Sequence, residues 1–356
     1  GADRGNATRK GIAKFNPLFK VLYSATHRKD DIQNMVFRLD AIDAYNQKLV
    51  KKIEVKGIKQ IGSTATNGYV YLEEIIISKG NPQARISFDV KTATGTRQTS
   101  RVVGEGFNLY DHSGELNEYR NNFIVERIDG LEGTVRFVNG TVLHEGDAVG
   151  AVNEDYLRRI QIRETIRTHL ERERQLFGQN IKVLSLFFID HVDSYRLYDG
   201  PETKGKFAKM FEEEYRNVLS ELMPTFGDEA YLRYLSDPRN AAENEHQGYF
   251  SMDKKGKVVD SKGKEGENEE RAFDLIMKDK ERLLSLNEPV RFIFSHSALK
   301  EGWDNPNVFQ ICTLKNSDNE TKKRQEVGRG MRLCVNQNGE RQDADVLGDH
   351  VFDTNI

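Results

Sequence analysis

Three side chains able to hold a phosphate group recur at steps of four and three in the stretch QEVGRGMR: Gln325, Arg329 and Arg332. On a continuous α-helix all three would project from one face, with the two guanidiniums about 5 Å apart along the axis. Two permanently charged forks held that close repel one another unless an anion lies between them, and a polyphosphate satisfies both through charge-assisted hydrogen bonds. Gly328 falls on the same side, where a missing side chain leaves room for a phosphate or a partner backbone. Each glycine weakens a helix by about 1 kcal/mol relative to alanine, so local stability does not explain their presence here. An isolated RxxR pair is more often a solvated basic face. The glycines, the glutamine and the strand-like run before them favour an anion site.

Other residues invite weaker readings. Trp303, the only tryptophan, is either a core anchor, the commoner use, or a platform on which a base stacks. Lys91, Arg97 and Arg101 lie in KTATGTRQTSR, where they could touch nucleic-acid phosphates or merely solvate a hairpin. The eight histidines are scattered without metal-ligand spacing, so no metal site is expected. GPETKGKF, residues 200–207, approximates a phosphate loop but has Phe207 where a hydroxyl should bind magnesium.

The elements that must position these residues follow from hydrophobic pattern. FKVLYSAT, residues 19–26, reads as a short strand, and the segment 30–53 has apolar residues at helical spacing. From about residue 52 to 150, β-rich runs alternate with Gly, Asn and Asp turn signals, predicting a mostly antiparallel module. A long helix over 153–177 follows, with Leu157, Ile160, Ile162, Ile166, Leu170 and Phe177 near one face. IKVLSLFFID, VRFIFS and VFQICTL read as buried parallel strands, and GKFAKMFEEEYRNVLSELM and RAFDLIMKDKERLLSL as covering helices. The polar, Gly/Lys-rich stretch 249–270 reads as a mobile hairpin or loop. The predicted fold class is α/β: a parallel sheet with helices on both faces, plus an inserted antiparallel β-module.

Composition bounds the function. A chain of 356 residues, 37% hydrophobic, has enough core for two or three domains. The net charge of −3 leaves any nucleic-acid contact to local patches. Two widely separated cysteines fit neither a zinc knuckle nor a disulfide framework and point to a reducing cytoplasm. No apolar run approaches the roughly eighteen residues of a membrane span.

QEVGRGMR matches the Q-x-x-G-R-x-x-R element of superfamily-two helicases and translocases, SHSALKEGWDNPNVFQICTL resembles the element before it, and LYSAT resembles their S-A-T element. Longer stretches, RLDAIDAYNQKLVKKIEVKGI, IKVLSLFFIDHVDSYRLYD and PVRFIFSHSALKEGWDNPNVFQICTLK, closely resemble the Res subunit of type III restriction endonucleases. The resemblance runs through most of residues 16–341. It implies a RecA-like second helicase domain whose Arg329 and Arg332 act as arginine fingers on ATP held by a first domain, with Gln325 positioning the γ-phosphate or the attacking water. Gly302, Asp304 and Gly328 would border the nucleotide, and Ser24, Ala25 and Thr26 would couple hydrolysis to DNA movement.

The implied division is residues 1–51 for the end of the first motor domain and a linking helix, 52–150 for the β-module, 151–345 for the second motor domain with an insertion near 245–270, and 346–356 for a tail. The phosphate loop, the D-E-x-H element and the C-terminal nuclease of the family are not found in the sequence. The expectation is therefore that ATP and Mg2+ serve the complete enzyme and that this chain alone holds neither and is inactive. Double-stranded DNA, a DNA-methyltransferase (modification) subunit and the missing motor and nuclease domains are the implied partners. The alternative is a noncatalytic DNA-binding or scaffolding module.

Overall fold

The computed structural model describes residues 6–21, 23, 34–61, 68–77, 79–93, 95–150, 154–198, 202–250, 274–296, 303–315, 320–343 and 354–355. Helices α1 (Asn6–Lys14) and α2 (Ala41–Asn46) precede the short strands β1 (Ile53–Glu54) and β2 (Lys59–Ile61). The long hairpin of β3 (Val70–Ile76), β4 (Gln83–Thr92) and β5 (Gly95–Val103) leads through α3 (Leu109–His112) to β6 (Val125–Asp129), β7 (Thr134–Phe137), β8 (Val142–His144) and β9 (Asp147–Val149). Then come α4 (Glu154–Phe177), β10 (Leu184–Phe188), α5 (Lys206–Leu222), α6 (Glu229–Leu235) and β11 (His246–Phe250). A π-helical turn, Asp274–Lys278, leads to α7 (Lys280–Leu284), β12 (Phe292–His296), β13 (Val308–Thr313), α8 (Glu320–Val327) and β14 (Thr354–Asn355).

Six strands form one sheet in the order β1-β14-β13-β10-β12-β11, and every pairing in it is parallel. The central strands are buried on both faces, which is why their sequences are near-continuous apolar runs. Alternate residues still serve opposite sides: Phe187, Phe292 and Phe294 pack with α4, α5 and α6, while Leu186, Phe188 and Ile293 pack with Leu275, Ile276 and Leu283. Of the stretch 346–356, Thr354–Asn355 joins this sheet between β1 and β13. Of 245–270, His246–Phe250 is the edge strand β11, and residues 251–270 lie outside the described residues.

The β-module has two further sheets, β2-β9-β3-β4-β5 and β6-β7-β8. Their pairings are antiparallel except for β2 with β9, and one apolar cluster from Val70 to Val149 lies between them.

Several local expectations are corrected. Segment 30–53 does not form one helix: the Asp40 carboxylate caps α2 by accepting from the N–H groups of Ile42 and Asp43, and Lys48 turns the chain at φ 59°. Phe19, Lys20, Val21 and Tyr23 are exposed and carry no strand. The predicted helix 271–286 is split between the π-helical turn and α7. Helix α4 forms as predicted, but not with one buried face: Ile162, Ile166 and Leu170 enter the core beside the parallel sheet, Ile160 packs with Tyr69 and Tyr71 of the β-module, and Leu176 joins a third cluster.

The arginines between those apolar residues make α4 a charged joint. Arg163 reaches Glu73 at 3.2 Å, Glu214 at 2.9 Å and Glu221 at 2.6 Å, and Arg167 reaches Glu73 at 3.2 Å and Glu221 at 2.8 Å. Arg85 of β4 pairs with Glu74 at 2.8 Å and Glu221 at 3.4 Å. Beneath the parallel sheet, the fully buried Arg291 guanidinium binds the carboxylates of Glu173 and Glu245 and the hydroxyl of Tyr215. Burial alone would raise the Glu173 carboxyl; Arg291, with His169 and Tyr231, overrides it and holds it near about 2. Burial dominates at Glu245 and pushes its carboxyl up to about 7 despite the same arginine.

Candidate functional site

The arginine-bearing segment is not helical throughout. Helix α8 ends at Val327, and Gly328, Arg329 and Gly330 close a turn in which the N–H of Gly328 donates to Arg324 O (3.0 Å), that of Arg329 to Glu326 O (3.2 Å) and that of Gly330 to Val327 O (3.0 Å). The two glycines supply the break: their low helix propensity ends the element before either arginine. The expected single helical face is thereby corrected, since Gln325 lies on the helix and Arg329 and Arg332 lie beyond it.

The fold brings the two arginines together by another route. Arg329 Nη1 donates to the carbonyl of Trp303 at 2.7 Å, and Arg332 Nη1 pairs with the carboxylate of Asp304. Both therefore meet the segment entering β13. The other Asp304 oxygen lies 3.7 Å from Lys280 Nζ at the start of α7.

The two guanidiniums differ in environment. Burial lowers the Arg329 pKa, with Glu326 and Asp304 opposing it, and its Nε is buried without a hydrogen-bond partner among the described residues. Arginine stays protonated in either environment, so this is an incompletely solvated permanent cation with a donor to spare. Arg332 is 59% exposed along its side chain. Gln325 and Gly328 are exposed on the same stretch.

Trp303 proves to be a core residue. It is 4% exposed, its indole N–H donates to Ile276 O at 3.1 Å, and it packs with Leu184 and Val308, which leaves no ring face for a base. Asn305 closes the turn that follows, accepting from the N–H of Asn307 at 2.9 Å.

Asn307 is a positioning residue that sequence reasoning missed. Fully buried, its amide donates to Lys182 O and Val335 O, both at 2.9 Å, and accepts from the N–H of Val335 at 2.8 Å. It thus pairs with Val335 as a strand residue would and sets the segment after Arg332 against the one after Asp304. The stretch WDNPN shows an Asx-rich turn, but no sequence signal shows where its second asparagine reaches.

Gly302 and the Ser24, Ala25, Thr26 element lie outside the described residues. Lys91, Arg97 and Arg101 are exposed along β4 and β5, in register with Thr96, Val90 and Ile86: Lys91 and Arg97 lie beside the turn that the Thr92–Gly95 pair closes, and Arg101 lies further along the hairpin. The described part of GPETKGKF is packed into the fold: the N–H of Gly205 donates to Tyr195 O at 2.8 Å, Lys206 pairs with Asp155 at 2.8 Å, and Phe207 enters the core. Among the described residues no group of three His, Cys, Asp or Glu could hold a metal ion, and no helix is long and apolar enough to cross a membrane.

The chain is 35% identical over 337 residues to the Res subunit of the type III restriction-modification enzyme EcoPI of Escherichia phage P1, an alignment covering 94% of this chain and 32% of that protein. It is related to the type III Res subunits. The EcoP15I Res subunit of Escherichia coli is 36% identical over the same length and shares, and the StyLTI Res subunit of Salmonella typhimurium is 30% identical over 381 residues, covering 95% of this chain and 35% of that one. The chain spans about a third of the length of these curated relatives. No family profile matches it. The parallel sheet with helices on both faces is a RecA-like architecture, and in this Res relative it carries both arginines and the acidic segment they meet.

Proposed function

We propose that this chain forms the second motor domain and accessory β-module of an ATP-dependent DNA translocase of the type III restriction class, working in the cytoplasm with a DNA-modification subunit. The observation that carries the reading is the convergence of Arg329 and Arg332 on Trp303 and Asp304, with Arg329 Nε unfilled. A triphosphate held by a first motor domain would take the guanidiniums as acceptor-seeking forks, and charge developing on the transferred group would be stabilised by them. Gln325 would orient the γ-phosphate or the attacking water, and Gly328 would leave it clearance. Asp304 holds Arg332 in place and, with Gly302, would sense the nucleotide, while Ser24, Ala25 and Thr26 would pass the response to DNA. Mg2+ would be held with ATP by the complete enzyme, and Lys91, Arg97 and Arg101 would track the phosphates of duplex DNA.

The test is Arg329→Ala and Arg332→Ala, separately, in the complete enzyme with its modification subunit. Loss of an arginine finger costs on the order of 10³-fold or more in turnover, so DNA-stimulated ATPase should fall by that scale in each variant. Turnover retained in both would refute the assignment. A noncatalytic DNA-binding module would instead bind duplex with strong salt dependence and show no effect of nucleotide.

A further inference from the structure

Lys51 is buried, with 2% exposure, at the point where the chain enters the parallel-sheet half just before β1. Its ammonium donates to Pro306 O at 2.9 Å and Val308 O at 2.6 Å and lies 4.1 Å from the centroid of the Phe309 ring. Its own N–H donates to Met331 O at 2.8 Å. The three donors of a lysine are thus met by two carbonyls and a π-face. Burial pushes the ammonium down to about 7, Arg172 adds to this, and Cys334 opposes it. An aliphatic side chain of the same length would fill this space without desolvating a charge. It could not hold two carbonyl groups at fixed directions.

Those carbonyls belong to the arm that carries Asp304, and Met331 lies between Arg329 and Arg332 on the other arm. We propose that Lys51 is a positioning residue that joins the entering segment, residues 47–52, to both arms at once and so sets the register of Arg329 and Arg332 against Trp303 and Asp304. This rests on the arginine-finger reading above. A shift of the entering segment moves both arms together because three directional contacts from one residue leave them no independent slack.

The experiment uses the complete enzyme with its modification subunit and compares Lys51→Met and Lys51→Arg with Arg332→Ala. Misplacing a catalytic group by about 1 Å costs up to roughly a hundredfold. Lys51→Met should therefore lower DNA-stimulated kcat per folded molecule by about tenfold to a hundredfold with the KM for ATP within about twofold. Lys51→Arg, which keeps the charge, should recover part of the loss. An unchanged kcat, or a raised KM alone, overturns the proposal; if Arg332→Ala also keeps its turnover, the finger reading fails instead. Hydrogen exchange on the unsubstituted enzyme needs no variant to fold. A nonhydrolysable triphosphate should change protection over residues 48–53 together with 328–334, and a response confined to 328–334 overturns the proposal.

Discussion

Replacing Glu73 by glutamine tests whether the charged joint holds the β-module on the parallel-sheet half. The Glu73 carboxylate is 1% exposed, accepts from Ser87 Oγ at 2.6 Å, and meets Arg163 Nε and Arg167 Nη2, each at 3.2 Å. Burial opposes its ionisation, but the two arginines and the serine outweigh it and lower the pKa. Glutamine keeps one oxygen for Ser87 and Arg163 and turns an NH2 group toward Arg167. One charge-assisted contact, worth about 1.5–3 kcal/mol, is lost, and a donor then faces a donor. Removing one partner of a buried pair outright costs about 3–5 kcal/mol. Arg163 and Arg167 keep Glu214 and Glu221, at 2.6–2.9 Å, so the expected loss is about 3 kcal/mol. Urea unfolding followed by two signals would show it, because the single tryptophan, Trp303, lies in the parallel-sheet half while far-UV circular dichroism reports both halves. The variant should lose coincidence, with the dichroism transition moving first. Coincident curves at the native midpoint would show that the joint contributes nothing and sink the reasoning.

The same logic applies inside the parallel-sheet half and at its arms. Arg291→Met should destabilise the chain by about 3–5 kcal/mol, since it leaves the buried Glu173 and Glu245 without a guanidinium; urea midpoints check it. Against burial, Arg291, His169 and Tyr231 hold the Glu173 carboxyl down to about 2 in the fold against 4.5 for an unperturbed glutamate, so its share of stability is complete above 4.5 and is lost as pH falls toward 2. Acid titration of stability in that window should flatten in Arg291→Met. Asn307→Ala orphans three backbone groups and should cost about 2–4 kcal/mol, and in the complete enzyme it should also depress ATPase; native activity with full stability would contradict the bridging role.

What the sequence made legible is what depends on local pattern. The strands of the parallel sheet announce themselves because burial on both faces makes LSLFF and FIFS apolar at all but one position each. The identity of α4 as a helix was equally plain from its spacing, yet its burial on several sides was not. Arg163 and Arg167 look like solvent-facing charges until Glu73, Glu214 and Glu221 arrive from distant segments. The segment 30–53 failed for the opposite reason: apolar spacing promised a helix there, and one capping aspartate and one left-handed lysine restricted it to six residues.

The candidate site divides the same way. Residue types with phosphate chemistry were legible in QEVGRGMR, but their geometry was not, because the helix stops at Val327 and Arg329 and Arg332 are gathered by a segment some 26 residues upstream. The residues that fix this arrangement, Asn307 and Lys51, have no motif to mark them, and Lys51 finds its carbonyl partner 255 residues away. All three ties, Arg329 to Trp303, Asn307 to Val335 and Lys51 to Pro306, run to backbone atoms, so they specify position and leave the partner's side chain unconstrained. Apolar packing tolerates a slide between equivalent volumes. A hydrogen-bonded lysine or asparagine in a buried setting does not, since every unmade bond leaves a desolvated group behind. Polar ties concentrated on the two arms therefore hold Arg329 and Arg332 at a fixed register, which is what the proposed phosphate-facing role would require of them.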